Sequence, residues 1–163
     1  MTRILPDWLT AWEEYFSDSP CPTLFRRWSG ISLLAGAMER KCWVKSLKKT
    51  LYPNLYVILV APPGGGKSFL IEVVREFWSN IGEHHIAPDS VSRASLADAL
   101  KDAERHIVNV VEKTYSFNSF LIASSELGNL ITSYDGEFMS FLNHLYDCPP
   151  YKERKRGKGI EYE

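Results

Sequence analysis

The sequence has little that would mark a secreted, membrane-embedded or strongly cationic protein. Its three cysteines, Cys21, Cys42 and Cys148, are odd in number, widely spaced and without a C-x-x-C pair. That excludes a disulfide framework and a zinc knuckle, and a reducing cytoplasmic setting is expected. No apolar span approaches the roughly 20 residues of a membrane helix. The first residues lead to Glu13 and Glu14 without the apolar core of a signal peptide. The formal net charge is −1, so no global field pulls the chain toward nucleic acid or anionic lipid, and any such attraction must be local. Internal repeats and low-complexity tracts are missing as well. His84-His85, near Asp89, lacks ligand spacing, because adjacent histidines of a regular element cannot both face one ion. His106 and His144 stand alone.

At 163 residues, 45% hydrophobic and 13% aromatic, the chain is long enough for one domain with a substantial core. Its most informative stretch is Ala61-Pro62-Pro63-Gly64-Gly65-Gly66-Lys67-Ser68, directly after the apolar run Leu55-Tyr56-Val57-Ile58-Leu59-Val60. The order reads as a buried strand, a glycine loop and the opening of a helix. A triphosphate needs that order: glycines let backbone N–H groups turn inward around the phosphates, and the helix N-terminus adds partial positive charge. Lys67 can reach the β- and γ-phosphates and the Ser68 hydroxyl can ligate Mg²⁺. The expected nucleotide-binding residues are Pro63, Gly64, Gly65, Gly66, Lys67, Ser68 and Phe69. Ala61 replaces the usual first glycine, where the strand closes and no phosphate is cradled. A plain flexible turn would not need Lys-Ser at its exit, followed by Phe69-Leu70-Ile71-Glu72-Val73-Val74.

Ahead of the loop, the spacing predicts a helix with Trp8, Leu9, Trp12, Tyr15 and Phe16 on one face, stopped at Ser17-Asp18-Ser19-Pro20. A second helix is expected over 23–40, with Leu24, Trp28, Ile31, Leu34, Ala35 and Met38 inward and Gly30 and Gly36 permitting close packing. Cys42-Trp43-Val44 reads as a short strand. Beyond the loop, a helix is expected over 68–80, ended by Asn80-Ile81-Gly82. Ser95-Leu96-Ala97-Asp98 has the form of a capping box, with a helix to about residue 106. The runs 107–111 and 119–123 are β-type, and a helix follows over 137–147 carrying Phe138, Phe141, Leu142 and Leu145. Strands alternating with helices predict a mostly parallel sheet covered on both faces.

Hydrolysis also needs an oriented water and a held metal ion. Only the run 119–123 leads to a carboxylate, through Ser124-Ser125-Glu126. Glu126 is therefore expected to polarise the attacking water, beside Lys67 as the second catalytic residue. Ser125 stands where an Asp often precedes that Glu, and can bond a Mg²⁺-held water. Alternatively, Glu126 merely opens a short helix, where negative charge is also favourable. Next in line are Asp135 and Asp147.

The Pro-Asn-Leu-Tyr lead-in at 53–56, the Pro-Pro-Gly-Gly-Gly-Lys-Ser loop, Ser-Ser-Glu-Leu-Gly at 124–128 and Leu145-Tyr146-Asp147 together resemble a group of P-loop ATPase domains. These occur in phage and mobile-element replication proteins of the helicase or primase-helicase kind. The resemblance spans most of the chain, including the lead-in with Phe25 and Trp28. It implies an α/β three-layer sandwich of RecA/AAA type with a mostly parallel sheet, incomplete at the C-terminus and preceded by a small helical layer. Residues 1–50 would form that layer, 51–150 the ATPase core, and 151–163 a basic, mobile tail. It also implies ATP as substrate with Mg²⁺, with Lys67 and Ser68 on nucleotide and metal and Glu126 as the acidic residue of the second motif. DNA would be the partner, together with further copies of the chain or the remainder of a longer replication protein, and no membrane. Family members continue past the point of Glu163 with further strands, a polar sensor and an arginine acting across a subunit boundary, so a truncated or split protein is expected.

Two other classes share the loop. A non-catalytic nucleotide-binding module fits Ser125 and the early stop; a small-molecule kinase would usually add an arginine-rich lid, which is not seen between the motifs. The one basic cluster, Tyr151 to Gly159, suits either a nucleic-acid backbone or a solvated terminal segment.

Overall fold

The computed structural model describes residues 7–82, 84–88, 92–108, 114–131, 135–155 and 158–162, with the main chain alone at 151–155 and 158–162. The first helix, α1 (Trp8–Tyr15), is capped by Asp7, whose carboxylate accepts from the Thr10 amide at 2.9 Å. Trp12 and Phe16 turn inward as expected, whereas Tyr15, assigned to the same face, is exposed. The second helix, α2 (Thr23–Met38), ends two residues before the expected boundary. Its buried positions are Ser29, Gly30, Leu33 and Ala35. Leu24, Trp28 and Met38, expected inward, lie exposed because the neighbouring helices pack on the other face of α2.

Both glycines of α2 mark close approaches. A Cβ on Gly30 would come within 2.8 Å of Trp12 Cδ1, and one on Gly36 within 2.9 Å of the Trp78 ring. The Trp12 indole is also held through its N–H, which donates to the Arg26 carbonyl at 3.0 Å and to Ser29 Oγ at 3.1 Å. A short exposed hairpin follows, β1 (Val44–Lys45) with β2 (Thr50–Leu51).

The loop helix α3 (Lys67–Asn80) buries Leu70, Val73, Val74 and Trp78. That i, i+3, i+4, i+8 spacing forms one apolar stripe. The helix ends where the sequence placed its stop, with Gly82 at φ 66°. Next come β3 (His85–Ile86), α4 (Arg93–Asp102), β4 (Glu104–Val108), β5 (Thr114–Asn118) and β6 (Phe120–Leu121). The cap of α4 is Ser92, reciprocally bonded with Ser95, so the capping box sits one turn before the Ser95–Asp98 pair chosen from sequence. The helix also stops before His106, which belongs to β4. Strands β4 and β5 form an antiparallel ladder pairing Glu104 with Asn118 through Val108 with Thr114. The expected β-run 107–111 is met only in part, residues 109–111 lying outside the described residues.

The chain closes with α5 (Leu127–Leu130), α6 (Gly136–Tyr146) and an antiparallel hairpin of β7 (Tyr151–Lys155) and β8 (Lys158–Tyr162). The segment read as a mobile tail is thus largely paired main chain, its second strand lying against α4.

The architecture is mixed α/β. Among the described residues the parallel component is one pair, β3 with β6, in the register His85 to Phe120 and Ile86 to Leu121. Helices cover both of its faces. Ile86 and Leu121 join the core of Trp12, Phe16, Leu33, Val73, Val74 and Trp78, while Phe120 and Ile122 join that of Leu96, Ala97, Phe138, Phe141 and Leu142. The alternation Phe120–Leu121–Ile122 is what a strand buried on both sides requires.

The run Leu55–Val60, expected as a buried strand, is the largest departure. It forms no ladder with any described strand, and Ile58 and Val60 are 65% and 82% exposed. Its lead-in is fixed instead by α6: Asn54 Nδ2 donates to the Tyr146 carbonyl and the Tyr56 hydroxyl to that of Leu142, each at 2.6 Å. A β-prone composition makes a strand only where another strand lies alongside.

Candidate functional site

The glycine loop takes its shape from two left-handed residues. Gly64 has φ 81° and Gly66 φ 74°, flanking Gly65, and a side chain at either would be strained. Gly65 has a different constraint: a Cβ there would sit 3.1 Å from that of Ala61 and 3.3 Å from the Pro62 carbonyl. Pro62 also accepts from the Gly65 amide at 3.3 Å, closing the turn. Gly66 is the N-cap of α3 and supplies no side-chain cap. The first N–H groups of this 14-residue helix are therefore left without a capping side chain. Left-handed glycines before an uncapped helix start form an anion-binding nest.

Lys67 folds back over this turn. Its ammonium donates to the Ala61 carbonyl and, at 3.1 Å, to that of Pro62. An arriving phosphate would exchange those carbonyls for its own oxygens. Ser68 and Phe69, with Pro63 at the loop tip, are exposed beside it. The loop is braced from behind by Cys21, which is buried, with Sγ donating to the Gly66 carbonyl at 3.2 Å. A Cβ on Gly66 would collide with that sulfur. Sequence reasoning missed this brace, since a lone cysteine 45 residues upstream carries no signal of it.

Glu126 stands three residues beyond Ala123, at the end of the β6 segment, as the N-cap of α5. Its side chain is exposed and makes no capping bond, while Ser124 Oγ donates to its carbonyl at 2.8 Å. The competing acids are already engaged: Asp135 accepts from the Phe138 amide at 2.8 Å, and Asp147 pairs with Lys49 at 3.3 Å. The loop and the Glu126 segment are connected through Arg75, whose guanidinium donates to the Ala123 carbonyl at 2.9 Å. Arg75 lies eight residues from Lys67 on one helix, a rise of about 12 Å, and the three residues from Ala123 to Glu126 span up to about 10 Å. Arg75 thus ties α3 to the Glu126 segment, and among the described residues no hydrogen bond or ion pair joins Lys67 to Glu126. Arg75 was not singled out from sequence, where it reads as part of the polar face of α3.

As metal ligands, the Ser68 and Ser125 hydroxyls are exposed. Among the described residues no group of three or more histidine, cysteine or acidic side chains could hold an ion. This donor set suits Mg²⁺ brought by a nucleotide, an ion that keeps phosphate oxygens and waters in its shell and takes few protein ligands. His84, weighed with His85 as a metal pair, instead turns its side chain inward, with its Nδ1 2.7 Å from Glu39 Oε1; Asp89 lies outside the described residues. The same Glu39 carboxylate meets Lys41 at 3.0 Å and Arg105 at 3.6 Å.

The grooves among the described residues include one of about 410 Å³ between α4 and α6, beside Arg93, Ser140 and His144, and no expected site residue lines it. Another, of about 280 Å³, runs between α2 and residues 56–59, with Leu24, Phe25 and Trp28 on one wall.

Compared with protein-family profiles, curated proteins and solved structures, the chain matches none of them. No described helix is long and apolar enough to cross a membrane.

Proposed function

We propose that the chain binds ATP with Mg²⁺ at residues 63–69 and hydrolyses it, as the motor domain of a helicase-type replication protein acting on DNA. The observation that carries this reading is the shape of the loop: left-handed Gly64 and Gly66 lead into an uncapped helix start with the Lys67 ammonium folded over the turn. In this reading the loop amides and Lys67 hold the β- and γ-phosphates. Ser68 would contribute one hydroxyl to Mg²⁺, which supplies charge neutralisation at the phosphates when bound. Glu126 accepts a hydrogen bond from the attacking water and orients it in line with the γ-phosphate. Ser125 would hydrogen-bond a water held by the Mg²⁺ ion. Assembly with further copies or further segments of a replication protein belongs to the same proposal, as does a reducing, cytoplasmic setting.

Mg²⁺-dependent phosphate release tests it. Lys67→Ala is expected to abolish turnover, and Glu126→Gln to lower it by about 100-fold or more, the scale of a lost general base. Single-stranded DNA is expected to stimulate the rate.

A second reading, nucleotide binding without turnover, is favoured by Ser125, which offers a hydroxyl where a carboxylate often precedes the Glu. It predicts ATP binding with no phosphate release, with or without DNA.

A further inference from the structure

We infer that the groove between α2 and residues 56–59 is the seat of a purine base, belonging to the nucleotide whose phosphates occupy the glycine loop. The inference rests on the loop being a phosphate site and adds what the rest of the ligand touches.

Three observations converge on this groove. First, both of its walls run into the loop. Leu24 is one turn beyond Cys21, whose sulfur bonds the Gly66 carbonyl. On the opposite wall, Leu59 is two residues before Ala61, whose carbonyl accepts from Lys67. The Leu59–Ala61 step covers about 7 Å of extended chain, the scale of one sugar.

Second, the walls offer flat apolar surface. Phe25, Trp28 and Tyr56 line the groove, and Trp28 is 40% exposed although it sits mid-helix. Tyr56 is held in place by its hydroxyl bond to Leu142 and by an edge contact with Tyr146, ring centroids 5.2 Å apart. Aromatic faces beside a phosphate site, Tyr56 held in place and Trp28 partly exposed, are suited to stacking on a base.

Third, the wall opposite α2 brings main-chain groups to the groove. The main chain of residues 57–59 makes no hydrogen bond within the described structure. Its N–H and C=O groups border an otherwise apolar slot, and such groups seek partners. A purine matches both features at once, with two apolar faces and an edge of alternating donors and acceptors. An extended segment of another protein would satisfy the main-chain groups too, but it would leave unused the continuity of the groove with the loop.

The test uses the full chain and two ligands, Mg-ATP and Mg-tripolyphosphate, titrated calorimetrically into the wild type, Trp28→Ala and Trp28→Phe. Trp28→Ala is expected to weaken Mg-ATP by about 5- to 150-fold, the loss of one base stack, while tripolyphosphate binding stays unchanged. Trp28→Phe should retain most of the ATP affinity. Equal ATP affinity in wild type and Trp28→Ala, or an equal loss for both ligands, overturns the inference and leaves the loop reading standing. If neither ligand binds the wild type, the phosphate site itself is wrong.

Discussion

The guanidinium of Arg75 donates to the carbonyl of Ala123 at 2.9 Å, tying the helix that starts at Lys67 to the segment that ends at Glu126. Arg75 is too far along α3 to touch a phosphate in the loop, so under the proposed ATPase reading its effect on turnover would pass through the placement of Glu126. Arg75→Ala is expected to lower kcat by about 10- to 100-fold, as a small misplacement of a reacting group does, with ATP affinity changed less than about twofold. Arg75→Lys should recover part of the rate. Stopped-assay kinetics with a parallel binding titration check this, and equal losses in affinity and rate would contradict it.

Glu39 combines an unusual backbone with a buried charge. Its φ is 48° and its side chain is 1% exposed, against His84, Lys41 and Arg105. A non-glycine residue in that conformation costs about 1–3 kcal/mol, which the surrounding structure has to offset. Glu39→Gln keeps the shape and removes the charge. It is expected to destabilise the fold by about 3–5 kcal/mol, the usual cost of removing one partner of a buried pair. Urea denaturation measures it, and a midpoint equal to wild type would show that the cluster contributes nothing.

At Gly36 two effects oppose one another. Alanine is the better helix former by about 0.8–1 kcal/mol, yet its methyl would lie 2.9 Å from the Trp78 ring. Overpacking of a buried ring costs about 1–3 kcal/mol, so Gly36→Ala is expected to destabilise. Gly128→Ala, with nothing within 4 Å of the added carbon, is the control and should not.

The Tyr56 hydroxyl is pushed up to about 12 by burial first, then by Cys148 and Tyr146 nearby. Its neutral form is therefore favoured in the folded state, consistent with donation to the Leu142 carbonyl. The folded chain holds the proton longer than the unfolded chain as pH rises from about 10 to 12, so this contribution is full below pH 10 and lost through that window. In Tyr56→Phe the alkaline fall in stability should be shallower than in wild type. Identical pH profiles from thermal melts would contradict this.

The loop helix was legible because its signals are local: the Leu70, Val73, Val74 spacing, the glycines before it and Gly82 after it. The cap of α4 was misplaced by a turn because Ser92 and Ser95 are alike in chemistry and three residues apart, so either can begin a capping box. For Leu55–Val60 the composition indicated a strand, but a strand needs a partner edge, which no local pattern supplies. Glu39 gave no signal, since it falls near the end of the expected helix over 23–40 and only the fold brings His84 and Arg105 to it. The bond from Arg75 to the Ala123 carbonyl is likewise tertiary, so Glu126 could be nominated from sequence while the residue that holds its segment to α3 could not.

Calorimetric titration of Mg-ATP into the wild-type chain and into Lys67→Ala tests the central claim most directly. A saturable heat with one ligand per chain, lost in Lys67→Ala while that variant melts like wild type, is the predicted result. No heat in the wild type, or the same binding curve in both proteins, would contradict the assignment of residues 63–69 as a nucleotide site.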